Sequence, residues 1–238
     1  MGGGASLNIL TILALGFVLG MRHALDADHV VAVATMVSRT RSLFGSSIIG
    51  AFWGVGHTIT LFLVGVLILT LKISIPDRIA LILEMAVGVM LVFLGGLVAA
   101  GLIKERLDYH LHQHDGRSHL HIHKHTSIEL HQHQHAIRRG YRSMAVGMVH
   151  GLAGSAALML LVMTSIQSVM EGLLYIVVFG FGSVVGMMII STMISLPLVY
   201  TAFHFARFPR AITTFASLAS IALGTAIIYE IGFVKGLF

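Results

Sequence analysis

Residues Leu7 to Ser38 read LNILTILALGFVLGMRHALDADHVVAVATMVS. Between Asn8 and Ala34 the only ionisable residues are Arg22, His23, Asp26, Asp28 and His29. A spanning helix needs about 20 mostly apolar residues. This run is too long for one straight crossing and too short for two. A bent or interrupted helix around Gly20 resolves the conflict, and such breaks are tolerated where backbone lines a site. A charge inside a bilayer costs about 3 kcal/mol on insertion scales, so these side chains are expected to face protein or a watery cavity and to carry function.

The rest of the chain has the same character. Hydrophobic residues make up 56%, charged residues 11%, and the mean hydropathy is +0.91. A soluble domain carries about 25% charge. The fold class is therefore an all-α integral membrane protein in the lipid bilayer. Six transmembrane helices are expected, near Leu7–Ser38, Phe44–Leu71, Ile79–Ile103, Ser143–Ile166, Gly172–Leu198 and Ala211–Ile231. The net charge of +5 is no sign of nucleic acid, because the basic residues lie in loops and at segment ends. There is no cysteine, so neither disulfides nor thiolate ligands are available. The first apolar run lacks the basic start of a cleavable signal peptide.

Six spans place the first, third and fifth loops on one side. Eleven Lys and Arg lie there, from Arg39 to Arg210, against Lys72, Arg78 and Lys235 on the other. This bias predicts a multi-pass protein of the inner cell membrane, with both termini outside and the long loop in the cytoplasm. The two halves also resemble each other. Gly20-Met21-Arg22-His23-Ala24-Leu25 matches Gly147-Met148-Val149-His150-Gly151-Leu152 at an offset of 127, and Phe52-Trp53-Gly54-Val55-Gly56-His57 has a pattern similar to Phe179-Gly180-Phe181-Gly182-Ser183 at nearly the same offset. Three spans per half make this a 3+3 inverted repeat, the architecture of many secondary transporters. The expected units are a first three-helix repeat at 1–103, a His-rich cytoplasmic loop at 104–142 and a second three-helix repeat at 143–238.

Two imidazoles and two carboxylates within seven residues suit a divalent transition metal. On a regular helix His23, Asp26 and His29 fall about 60° apart in turn, on one stripe. Asp28 then holds a ring N–H or pairs with Arg22. A distorted helix instead brings His23, Asp28 and His29 together. A ligating histidine usually donates its second ring nitrogen to a carboxylate, and a spare one is present. A buried charge network that only fixes helix packing is the plainer alternative, but it does not need two histidines.

His57 sits mid-span between Gly54, Gly56 and Thr58. It is a candidate metal residue, against the commoner role of a hydrogen-bonded packing histidine. His150 occupies the repeat position of His23, but Ala153, Ser155 and Ala156 stand where Asp26, Asp28 and His29 do. The second half reads as having lost a site while keeping one auxiliary ligand or a gate. Glu84 and Glu230 are read as snorkelling to the interface, with Glu84 as a first ligand on the way in as the second reading.

Arg-His-Ala-Leu-Asp-Ala-Asp-His contains the His-x4-Asp-His pattern and so resembles the nickel/cobalt transporter (NiCoT) family. Gly56-His57-Thr58 is similar to that family's second histidine motif, and His150-Gly151-Leu152-Ala153-Gly154-Ser155 is similar to its short, six-helix, urease-accessory (UreH-like) branch. The resemblance implies transport of Ni²⁺ or Co²⁺, with His23, Asp28 and His29 in metal selection. Some short relatives export metal and carry His-rich loops, so efflux is the alternative direction. An intramembrane zinc enzyme is a third reading, but no His-Glu-x2-His motif or paired nucleophile is present. The chain is expected not to be an enzyme and to need no cofactor, the metal being its cargo.

The loop Lys104–Arg142 holds ten histidines between His110 and His135. They read as a cytoplasmic reservoir of interchangeable sites, which cannot select among metals beyond the Irving–Williams order. A soluble linker is the plainer account. A cytoplasmic nickel chaperone or nickel-enzyme maturation protein is an expected partner.

Overall fold

The computed structural model describes residues 9–73, 75–107, 113–114, 117–118, 140–153, 168–201 and 207–238. The helices are α1 (Ile9–His23), α2 (Ala27–Val37), α3 (Leu43–Leu71), α4 (Asp77–Leu107), α5 (140–153), α6 (Val169–Thr201) and α7 (Arg207–Tyr229), the last followed by a π-helical turn, Glu230–Val234. A two-residue antiparallel ladder, Gln113–His114 on Arg117–Ser118, is the only strand pairing among the described residues. The chain is an all-α membrane protein. Four described helices are long and apolar enough to cross a bilayer, and α1 with α2 makes a broken span bent by 56°. The fourth expected span is described only over 140–153; Ser155 and the remainder of that span lie outside the described residues.

The break comes at Ala24-Leu25-Asp26 rather than at Gly20. The amides of Leu25 and Asp26 bond back three residues, to Arg22 and His23, at 2.8 and 3.1 Å. Asp26 then turns extended (φ −59°, ψ 144°), and α2 starts with Val30 N–H on the Asp26 carbonyl at 3.0 Å. Gly20 serves packing instead. A Cβ there would meet the Phe179 carbonyl and lie 3.0 Å from the Ser183 nitrogen.

Close backbone approach recurs through the bundle. α3 packs along α6, α4 along α7 and α1 along α6. Side chains at Gly50 or Gly54 would strike Met187 or Val184 of α6, and Gly88 of α4 faces Gly224 of α7. On the α5 side, Gly147 abuts Trp53 and Gly151 abuts His57. Small residues let helices gain contact where lipid supplies no hydrophobic drive between them. Buried hydroxyls add bonds across the seams: Thr58 donates to the Gly180 carbonyl (3.1 Å), Ser143 to Ile49 (3.0 Å) and Ser220 to Leu91 (2.7 Å). Leu63, Phe93, Phe181 and Phe215 are exposed on the outside of the bundle, as apolar side chains facing lipid are. Pro197 does not end α6, which runs on to Thr201.

Gly20→Val should lower the melting temperature in detergent, with overpacking costing about 2 kcal/mol. Gly96→Ala, where a Cβ meets nothing within 4 Å, should leave it unchanged. Equal melting temperatures for both variants would contradict the packing role of Gly20.

Candidate metal centre

The break in the first span places its polar residues. His23 ends α1, and Asp28 and His29 open α2. At the start of a helix the first N–H groups lack carbonyl partners and the dipole favours an anion. Asp28 uses both features, since its Oδ1 accepts from the backbone N–H of His29 at 2.9 Å. The same oxygen lies 3.0 Å from His29 Nδ1, and Oδ2 lies 3.0 Å from His150 Nε2 on α5. An ionised carboxylate only accepts, so both ring nitrogens carry hydrogen. A neutral imidazole that donates through one nitrogen presents a lone pair at the other. Those others are His29 Nε2 and His150 Nδ1, and both are buried without a hydrogen-bond partner.

His23 is held the same way, its Nδ1 donating to Asp26 Oδ2 at 2.7 Å. His57, wholly buried on α3, has neither ring nitrogen paired. The ring centroids lie close together: His23 to His29 at 4.4 Å, His29 to His150 at 4.0 Å, His23 to His57 at 5.2 Å and His29 to His57 at 5.3 Å. Two overlapping donor groups result, His23/His29/His57 and Asp28/His29/His150. Within each, one nitrogen or oxygen per residue lies within 4.8 Å of the others. A buried polar atom without a partner costs about 1–3 kcal/mol, and native interiors rarely leave one unpaired. Four such ring nitrogens in one cluster fit a metal.

The surroundings are apolar and stiff. Trp53 stacks on His29 at 5.8 Å with planes 8° apart, and Phe179 lies 5.5 Å from His23. A cavity of about 590 Å³ reaches the cluster, touching His23, Asp26, Asp28, His29 and His150. His57 sits behind it. The same cavity is lined by Glu84, Glu230 and Lys235, so the two glutamates face a common space. The sequence reading missed Lys235 in the wall of this space and Trp53 against His29.

The structure therefore brings five of the six candidate residues together: His23, Asp28, His29, His57 and His150. Asp26 stands at the rim, half exposed, touching the cluster through His23. The helix is broken, as the second alternative expects, while Asp28 holds ring N–H groups, as the first does. Asp28 takes ring N–H groups rather than pairing with Arg22.

Over 233 residues the chain is 38% identical to the urease accessory protein UreH of Bacillus sp. (strain TB-90), covering 97% of this chain and 96% of that one. It belongs to the UreH-like branch of the nickel/cobalt transporter family. Two Arabidopsis thaliana proteins, the chloroplast proteins FOR GROWTH AND FERTILITY 2 and 1, are 29% and 28% identical over 92% of the chain, which spans 56% and 59% of their lengths. No family model and no solved structure matches. This family member groups with an accessory protein, not with an enzyme.

Trp53 is the chain's one tryptophan, so its fluorescence reports on the cluster. Ni²⁺ should quench it in the wild type, and His57→Ala should lose most of that response. Asp28→Asn should weaken Ni²⁺ binding by about ten- to a hundredfold, the usual effect of losing a group that orients ligating histidines. Titrations identical to wild type in both variants would contradict the assignment.

Proposed function

We propose that this chain carries Ni²⁺, with Co²⁺ as a second cargo, across the membrane into the cytoplasm through the His/Asp cluster. The observation that carries this reading is the set of buried, unpaired imidazole nitrogens on His29, His57 and His150. The nickel assignment draws on family membership and on the accessory role stated in the relative's name. Nitrogen donors with a few carboxylate oxygens suit late divalent ions.

In the proposed cycle the hydrated ion enters the cavity and exchanges water for ring nitrogens of His23, His29 and His57. Asp26 and Asp28 act from behind, holding two of those rings by their N–H groups. Ligands about 2 Å from one ion lie about 3 Å apart, so modest ring rotations draw the set together. Asp28, His29 and His150 form the second stop, and His29, common to both groups, keeps hold of the ion between them. An inside-negative potential favours entry of a divalent cation by about 4.6 kcal/mol per 100 mV, twice the single-charge value.

The rocking unit is a 3+3 inverted repeat of six spans. Gly20 of α1 lies against Phe179 of α6, and Gly147 of α5 lies against Trp53 of α3. These contacts join repeat-related segments in reciprocal fashion, which supports the reading. Glu84, seven residues into α4, and Lys235, just past the π-helical turn, line the cavity toward the Lys72–Arg78 end of the bundle. By the charge bias that end is outside, which favours import over export. The loop between His110 and His135 receives the released ion and passes it to a nickel-enzyme maturation protein.

Radiolabelled Ni²⁺ uptake into proteoliposomes with an imposed inside-negative potential tests this. Saturable uptake is expected, abolished by His23→Ala and kept when residues 110–135 are deleted. Uptake no greater than in empty liposomes, or uptake lost on loop deletion alone, would contradict the division into a selective membrane site and an unselective reservoir. In cells, import should sensitise toward nickel, whereas protection would mean export.

A further inference from the structure

Away from the histidines, the cavity wall carries three charged side chains drawn from two separate elements. Lys235 Nζ lies 3.1 Å from Glu84 Oε2 and 3.6 Å from Glu230 Oε1. Glu84 comes from α4, while Glu230 and Lys235 bracket the π-helical turn after α7. In an α-helix, residues five apart point about 140° away from each other. The π geometry, with Lys235 N–H on the Glu230 carbonyl at 2.8 Å, brings them round to one side. Phe238 folds back on Gly232, through Gly236 at φ 73°, and steadies the turn.

All three side chains are partly exposed, 41% for Glu84 and Lys235 and 60% for Glu230, whereas His29 and His150 are 1% and 2% exposed. The same cavity is lined by this carboxylate pair and by His29 and His150, each of which keeps one buried ring nitrogen without a partner. Two carboxylates beside a low-dielectric wall attract cations. The lysine occupies that position with a single charge on a flexible four-carbon stem, and its hydrogen bond to Glu84 holds its pKa above the usual value.

We propose that Glu84 and Glu230 form an outer binding site for the incoming divalent cation, and that Lys235 is its built-in, displaceable occupant. This rests on the His cluster being the transport site. A divalent ion outcompetes the ammonium, Lys235 swings aside, and the ion proceeds to the histidines. When the ion has passed, the lysine returns and screens the pair. Because a cation of single charge gains no advantage over the lysine, the trio favours charge two before nitrogen ligands select the element.

The test is initial Ni²⁺ uptake against concentration, at low and high ionic strength, in wild type, Lys235→Met, Lys235→Arg and the double variant Glu84→Gln/Glu230→Gln. Lys235→Met should lower KM by about fivefold, and the double variant should raise it by about tenfold and flatten its salt dependence, as for a charged cleft that concentrates its ligand. Lys235→Arg should raise KM, because a guanidinium fork pairs with carboxylates more firmly than an ammonium and is displaced less readily. Ni²⁺ quenching of Trp53 at saturation should be normal in all, showing an intact His cluster. KM values within twofold of wild type for both Lys235→Met and the double variant would overturn the proposal. So would loss of the Trp53 response in both, which would make the trio a structural clamp. Uptake that survives His23→Ala would instead overturn the transport site itself, a separate outcome.

Discussion

One carboxylate between two imidazoles sets the geometry of the centre. Asp28 holds His29 from its own helix and His150 from α5, each at 3.0 Å. It thereby joins the first half of the chain to the second, α2 to α5. The carboxylate is stabilised by the N–H group at the opening of α2, and that opening exists because the first span breaks at Ala24-Leu25-Asp26. An unbroken helix would turn Asp28 away from the His23 stripe. Helix break, anion and paired rings are therefore one feature, and each requires the others.

The packing serves the same end. Glycines along α1, α3, α5 and α6 bring backbones close enough for rings from four helices to meet. Wide side chains are then admitted only where they contribute, as with Trp53 flat against His29 and Phe179 beside His23. Every ring but His57 has one nitrogen tied to a carboxylate, which fixes its orientation and leaves the other lone pair facing its neighbours. Such a cluster is poor as a packing core and well suited to receiving a cation.

Much of this was legible in the sequence. Charges inside an apolar run marked the site, and the length of that run demanded a break. The repeat offset singled out His150, which a helical-stripe argument alone would have passed over. The position of the break was not legible, because glycine serves both as a helix breaker and as a packing residue, and Gly20 is the latter. Asp26 and Asp28 could not be ranked either, since their order depends on where the stripe is interrupted. The meeting of Glu84 with Lys235 lies further still from sequence, being made by α4–α7 packing and a π-helical turn. The His-rich loop is plain in the sequence, and its histidine side chains lie outside the described residues.

The central claim is that buried imidazoles bind the transported ion. Nickel K-edge X-ray absorption on Ni²⁺-loaded protein lacking residues 110–135 tests it most directly. The outer-shell scattering should require about three imidazoles around one nickel, falling by one in His57→Ala, as nitrogen ligation by His23, His29 and His57 demands. A nickel surrounded by oxygen alone, with no imidazole scattering in the wild type, would contradict it.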